Sequence, residues 1–172
     1  MNNAGEEIIN LTKNIRGQYA GLLELRPDLP RELIKALEES DVKKSSIESP
    51  QVSDAFTELL WGVIGALVER KPELKKIVTD AGNIKITYEA TDSPMKGHYE
   101  LSAGKITGGA GATKPYDLRV TGPTDVLTKL TTGAIDSTQA FMTGQYKLEG
   151  NLAIGMKLTP VSKKIAEVLR GK

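Results

Sequence analysis

The chain contains no cysteine. Disulfides, thiolate catalysis and cysteine-based zinc sites are therefore excluded. It has one histidine, His98, on a stretch that alternates with Glu100 and Ser102, so it reads as a solvent-facing strand residue and not as a catalytic base. A serine triad would need that histidine, and no G-x-S-x-G elbow exists to supply the nucleophile. Charge of one sign is also missing: the formal net charge is +1, which offers no bulk attraction to nucleic acid or anionic lipid. The longest apolar stretch, "LLWGVIGALV" from Leu59 to Val68, falls well short of the about 20 residues of a membrane span, so no stable membrane insertion is expected. The first residues, "MNNAGEEIINL", lack a basic segment followed by an apolar run, and "VLRGK" is no S-K-L address. A cytoplasmic protein is the expectation.

The ordinary metal and phosphate motifs fail as well. The densest acids, Glu38, Glu39 and Asp41, lie at a helix end and read as a solvated terminus, leaving no metal site. "GGAGATKP" resembles a phosphate loop only superficially. Lys114 is followed by Pro115 and not by Ser or Thr, and the stretch joins two strands without opening a helix. The pair Lys75 and Lys76 reads as a solvated helix face. No cofactor is called for, and the expectation is a protein that is not an enzyme.

What is present is enough apolar residue for a core. Hydrophobic residues make up 39% and charged residues 26% of 172 positions, ordinary for one globular domain; a chain this size buries roughly 70% of its unfolded surface. Ile8, Leu11, Ile15, Tyr19 and Leu22 recur at helical spacing. "RPDLP" breaks that helix, and Pro30 opens another through Leu33, Ile34 and Leu37. The polar stretch from Glu39 to Ser49 reads as a linker. Ser49 and Pro50 suit an N-cap and first residue of a helix carrying Trp61, on which Gly62 and Gly65 permit close approach of another backbone. A short helix follows and stops at Gly82.

The period then changes to two. Ile84, Ile86 and Tyr88 alternate with polar neighbours, as do Tyr99 with Leu101, Leu118 with Val120, and Tyr146 with Leu148; a short strand at Lys105 to Thr107 is a further candidate. One apolar and one polar face per strand describe a mainly antiparallel sheet with one face covered. Two short helices interrupt it, one from Thr124 to Thr132 stopped by Gly133, the other capped by Asp136 with Gln139 three residues on and stopped by Gly144. Thr159 and Pro160 begin a last helix, with Ile165, Val168 and Leu169 on one face. The fold class expected is α+β, with helices gathered on one face of the sheet.

The segment "GQYKLEGNLAIGMKL", Gly144 to Leu158, is apolar and chemically inert in its second half. With the preceding helices it presents Leu127, Leu130, Ile135, Phe141, Met142, Leu148, Leu152, Ile154, Met156 and Leu158. An ordinary core and the wall of a cavity would use the same side chains, and the methionines suit an adaptable surface.

Residues 75–158 resemble the sterol carrier protein 2 family. "PELKKIVTDAGNIKITYEA" is similar to that family's passage from helix to first strand. The longer stretch from Tyr116 to Leu158 is similar in the order and spacing of Gly133, Asp136, Ala140, Phe141, Gly144, Lys147, Leu148, Gly150, Asn151, Lys157 and Leu158. The resemblance implies a five-stranded sheet whose helices enclose an apolar tunnel for sterols, fatty acids or acyl-CoA, walled in part by the segment after Asn151. It implies a non-enzymatic carrier of an apolar small molecule or lipid, or an accessory module that presents a hydrophobic substrate to a partner enzyme. A quinone or prenyl compound suits such a tunnel as well as a sterol. Under this reading residues 49–158 form the lipid-binding domain, residues 1–48 an N-terminal helical extension, and residues 159–172 an added amphipathic helix. The apolar stripe of the extension must bury against the domain's own helices, a second copy in a homodimer, or a partner protein. The linker allows the first, so a cap beside the helix of Trp61 is expected, with Trp61 emission reporting on it.

Overall fold

The computed structural model describes residues 3–15 and 17–172; the side chains of the stripe residues Ile8 and Leu11 lie outside the described set. The chain opens with α1 (Asn3–Asn14), α2 (Tyr19–Leu25), α3 (Leu29–Glu39), α4 (Val42–Glu48), the long α5 (Pro50–Arg70) and α6 (Pro72–Ala81). The expected first helix is two. The chain turns between them at Gly17, whose φ of 81° is open to a residue without a Cβ. The expected linker is mostly the helix α4, whose carboxylate cap Asp41 accepts from the Lys44 amide at 2.9 Å. Its exposed face is nearly all polar, so no stripe betrayed it. Ser49 does precede α5, but its hydroxyl makes no cap bond.

Strands β1 (Ile84–Ala90), β2 (Lys96–Ser102), β3 (Lys105–Ala110) and β4 (Leu118–Gly122) follow, then α7 (Thr124–Thr132), α8 (Ser137–Met142), β5 (Lys147–Gly150) and α9 (Leu152–Leu169). The five strands form one sheet in the order β3-β2-β1-β4-β5. β1 with β2, β2 with β3 and β4 with β5 are antiparallel, but β1 and β4 run parallel, so the sheet is mixed. The cause is the segment 111–117, which returns from edge strand β3 across the sheet and starts β4 beside β1. Backbone and side-chain bonds stitch it down. Thr113 N donates to Thr87 Oγ1 at 3.3 Å, Asp117 N to Lys85 O at 2.8 Å, and His98 Nδ1 to Gly111 O at 2.8 Å. Thr87 is buried as a result, and His98 is half-buried where an open polar face was expected.

α5, α6 and α9 pack on the other face. Ile86, Leu101, Ile106 and Leu118 from the strands meet Ile64, Val68, Val78, Leu158 and Val161 from these helices in one core. α5 lies directly on β3. A Cβ on Gly65 would stand 2.7 Å from the Ile106 carbonyl oxygen, so the close approach expected of this glycine is made by backbone. The N-terminal helices fold back as a cap: α1, α2 and α4 lie along α5, and α3 against α7 and α9. Leu23, Leu29, Leu33 and Ile34 enter the common core, Tyr19 lays its ring on Gly62, and Thr12 Oγ1 donates to Ala55 O at 3.2 Å. At the far end the Arg170 guanidinium joins Glu38 of α3 and donates to Thr132 O of α7 at 2.9 Å.

The last helix also differs from expectation. α9 begins at Leu152, where Asn151 caps it by accepting from the Ala153 amide at 3.1 Å, and runs unbroken through Pro160. The helix expected to open at Thr159 is therefore its second half. Interior proline removes one helix hydrogen bond and costs about 3 kcal/mol in an isolated helix; here both halves are held by packing, through Leu158 and Val161 on either side of Pro160.

The start of α7 is capped from another element. Asp92, between β1 and β2, accepts from Thr124 N at 2.8 Å and Thr124 Oγ1 at 2.7 Å, and Lys43 Nζ stands 3.1 Å from its other oxygen. The two Thr124 bonds, helped by Lys43, hold its carboxyl at about 2, below the ordinary 3.8. A depressed folded value means stability that is present above pH about 4 and lost as the pH falls toward 2. Asp92→Ala should lower stability at neutral pH by about 1 kcal/mol or more, as for other caps, because the amide of buried Thr124 is left without its acceptor while its hydroxyl keeps only Ser93. Urea midpoints at pH 7 and in the acid window check both points: the gap between wild type and variant should shrink on acidification.

Candidate functional site

The covered face of the sheet does not close fully against the helices. Between them lies a cavity of about 430 Å³, within the roughly 300–1,000 Å³ of small-molecule sites. Its floor is strand alternation made physical: Ile86 and Tyr88 of β1, Tyr99 of β2, Ile106 of β3, Leu118 and Val120 of β4 and Leu148 of β5 all point to the same side. Trp61 and Ile64 of α5 form one wall. Leu152, Met156, Thr159 and Ile165 of α9 form another, and Leu127 and Leu130 of α7 and Phe141 of α8 complete the lining. Among the described residues no Asp, Glu, Lys, Arg or His lines it.

Of the residues expected from sequence, Leu127, Leu130, Phe141, Leu148, Leu152, Met156 and Leu158 lie on the cavity. Ile135, Met142 and Ile154 do not. Ile135 sits half-buried between α7 and α8, Met142 points outward with 80% of its surface exposed, and Ile154 packs from α9 against the core. Leu152 and Met156 are exposed at 52% and 80%, so they stand where the cavity meets solvent, with Phe141 beside them. An aspartate at Met156 would consequently cost the fold little, since that side chain has little burial to lose.

Sequence reasoning missed the aromatic end of the site. The Trp61 ring stacks on Tyr99 with centroids 4.4 Å apart and planes 21° from parallel, and its Nε1 donates to the Tyr88 hydroxyl at 3.1 Å. Trp61 thus faces the sheet and the cavity, and the cap touches the next residue, Gly62; its emission reports on the site. Tyr146 donates its hydroxyl proton to Ser137 O at 2.9 Å while its ring meets Phe141 at 5.8 Å. Burial pushes the Tyr88 hydroxyl up to about 12 and raises Tyr99 and Tyr146 as well, so all three are neutral phenols at physiological pH. The strand alternation had already placed Tyr88, Tyr99 and Tyr146 on the covered face. Only the gap above them was invisible.

On the outer face the polar residues pair across strands. Arg119 Nε donates to Glu89 at 3.0 Å and Nη1 to Glu149 at 3.2 Å, and Lys96 lies 3.3 Å from Glu89. Its bonds to Arg119 lead in holding Glu89 below its ordinary value. This is a satisfied ladder of ion pairs. Among the described residues no cluster of His, Asp or Glu could hold a metal ion, and no helix is long and apolar enough to cross a membrane.

A five-stranded sheet thus carries helices over one face, with a cavity between them whose described lining is uncharged. Residues 64–163 match the SCP-2 sterol transfer family, and the chain belongs to it. In fold it is similar to the ubiquinone synthesis protein UbiJ-SCP2, with 17% identity, a TM-score of 0.52, and coverage of 69% of this chain and 93% of that one. It is similar too to sterol carrier protein 2 from Yarrowia lipolytica in its apo form, with 18% identity, a TM-score of 0.50, and coverage of 80% and 99%. No curated protein matches the chain.

Proposed function

We propose that this protein is a non-enzymatic carrier that holds an apolar ligand, a lipid, fatty acyl or sterol-like molecule, in the cavity between sheet and helices. The observation that carries the reading is the space of about 430 Å³ with no charged side chain on its wall among the described residues, in a chain of a sterol transfer family. Burial is the driving force such a wall can offer, at about 0.8 kcal/mol per methylene before ordering costs. An enzyme would need an acid, base or nucleophile there. The described lining offers hydroxyls but no carboxylate, imidazole or amine, and Glu58 and Asp136 act on Tyr88 and Tyr146 from outside it, adding to burial in raising those hydroxyls and not activating them. In this reading residues 49–158 form the main part of the binding domain and residues 1–48 its cap, while residues 159–172 carry the second half of α9, whose Thr159 and Ile165 add to the cavity wall.

Native mass spectrometry of freshly purified protein, followed by solvent extraction, tests this. A co-purified apolar molecule is the expected result; protein that is empty and takes up no fatty acyl probe would end the carrier reading. Affinity should fall by a factor of roughly 4 for each fully buried methylene removed from the probe, read as quenching of Trp61. Equal affinity along the series would argue against enclosure.

A second reading has an observation of its own. The similarity to a protein titled for ubiquinone synthesis, and helices α1–α4 outside the matched family segment, favour a module that presents a hydrophobic substrate to a partner enzyme. Isolation in a stable complex with an enzyme, ligand passing between them, would support it over free carriage.

A further inference from the structure

Of the three tyrosines on the cavity, two have their hydroxyls engaged: Tyr88 accepts from Trp61 and Tyr146 donates to Ser137. The Tyr99 hydroxyl has no hydrogen-bond partner among the described residues. It is nevertheless not a sealed orphan, because no buried side-chain oxygen or nitrogen lacks a partner among those residues. A hydroxyl deep in the protein, unpartnered and still in contact with open space, on a side chain that lines the cavity, opens onto that cavity. Its ring is held by Trp61 at 4.4 Å, so the group is positioned before any ligand arrives.

We infer that the preferred occupant is an uncharged amphiphile, a long apolar body bearing a hydroxyl or carbonyl oxygen, and that the Tyr99 hydroxyl receives this oxygen on the floor of the cavity, beside Trp61. The inference rests on the carrier reading and narrows its ligand class. A hydrocarbon would leave the Tyr99 hydroxyl without a partner, which is costly in a dry site. An ionised carboxylate would lose its hydration with no cation among the described wall residues to replace it, so an acid would have to keep its head among Leu152 and Met156 at the mouth. A neutral oxygen escapes both penalties. A phenol both donates and accepts, so alcohols and ketones qualify alike.

The test compares hexadecane, hexadecanol and palmitate as competitors for one bound probe, by native mass spectrometry, in the wild type and in Tyr99→Phe. The variant keeps the ring on Trp61 and removes only an unbonded hydroxyl. The ratio of hexadecanol to hexadecane affinity is expected to fall roughly fivefold in the variant, the scale of one neutral hydrogen bond, while hexadecane binds the variant at least as tightly as the wild type, because no hydroxyl is left to lose its water, and so reports an intact fold. Palmitate in its ionised form should bind the wild type more weakly than hexadecanol. An unchanged ratio in Tyr99→Phe, or a wild-type preference for palmitate, overturns the inference and leaves the carrier reading standing. If none of the three displaces the probe from the wild type, the carrier reading fails and the inference with it.

Discussion

Gly155→Phe is expected to abolish ligand retention while leaving the protein folded. Gly155 sits on the cavity side of α9 with ordinary helical backbone. A Cβ there would meet Leu148 Cδ1 at 3.2 Å and Leu118 Cδ2 at 4.0 Å, both the ends of flexible side chains that can give way. The added ring therefore enters empty space. Replacing a helical glycine also recovers part of the roughly 0.5–1 kcal/mol that glycine costs there, which offsets mild crowding. The volume taken by the ring is volume refused to the ligand. Displacing three or four buried methylenes would weaken binding by roughly 100-fold. Thermal melting and probe titration on the same sample check the two halves. A variant that binds normally with an unchanged melting temperature would mean that the ligand does not use this cavity.

Gly65→Ala should do the reverse and damage the fold. The new Cβ would stand 2.7 Å from the Ile106 carbonyl oxygen, which belongs to β3 and has no rotamer to escape into. α5 would have to lift from the sheet, with Ile64 and Val68 in tow. A loss of roughly 3 kcal/mol, at the upper end of overpacking penalties, is expected. Gly62→Ala supplies the contrast. Its Cβ would strike the Tyr19 ring, a side chain of the cap and not the sheet. That variant should loosen α2 and leave the strands alone. Hydrogen exchange separates the outcomes: fast exchange in β2 and β3 for Gly65→Ala, and only at α1 and α2 for Gly62→Ala.

These glycines show what a sequence can disclose. Gly65 was recognisable as a place of close approach because it interrupts an apolar run; what approaches could not be read from it. The strands were legible from their alternation, and α7 and α8 from Gly133, Asp136 and Gly144, because turn and cap chemistry is local. The direction of β4 was not, since it depends on where the segment 111–117 crosses the sheet. α4 stayed hidden because its only buried side chain is Ser46. The site was half legible for a related reason. Leu127, Leu148 and Leu158 were found as apolar positions, but Trp61 and Tyr99 come from elements far apart in sequence, and a void has no residue to announce it.

The contact of Arg170 with Glu38 and Thr132 ties three distant stretches of chain, and this orders events in time. α3 comes well before α7 and α9, against which it packs, in the order of synthesis. Until those helices are made, Leu29, Leu33 and Ile34 have only part of their final surroundings, through α5. Contacts of such sequence separation form late, after their loop-closure entropy has been met by other interactions. α1, α2 and α4 can settle on α5 at once, but α3 is the last of the early helices to find its full place, after the sheet has assembled. Until α9 emerges, part of the apolar face of α3 stays uncovered, and that interval is when a chaperone helps most.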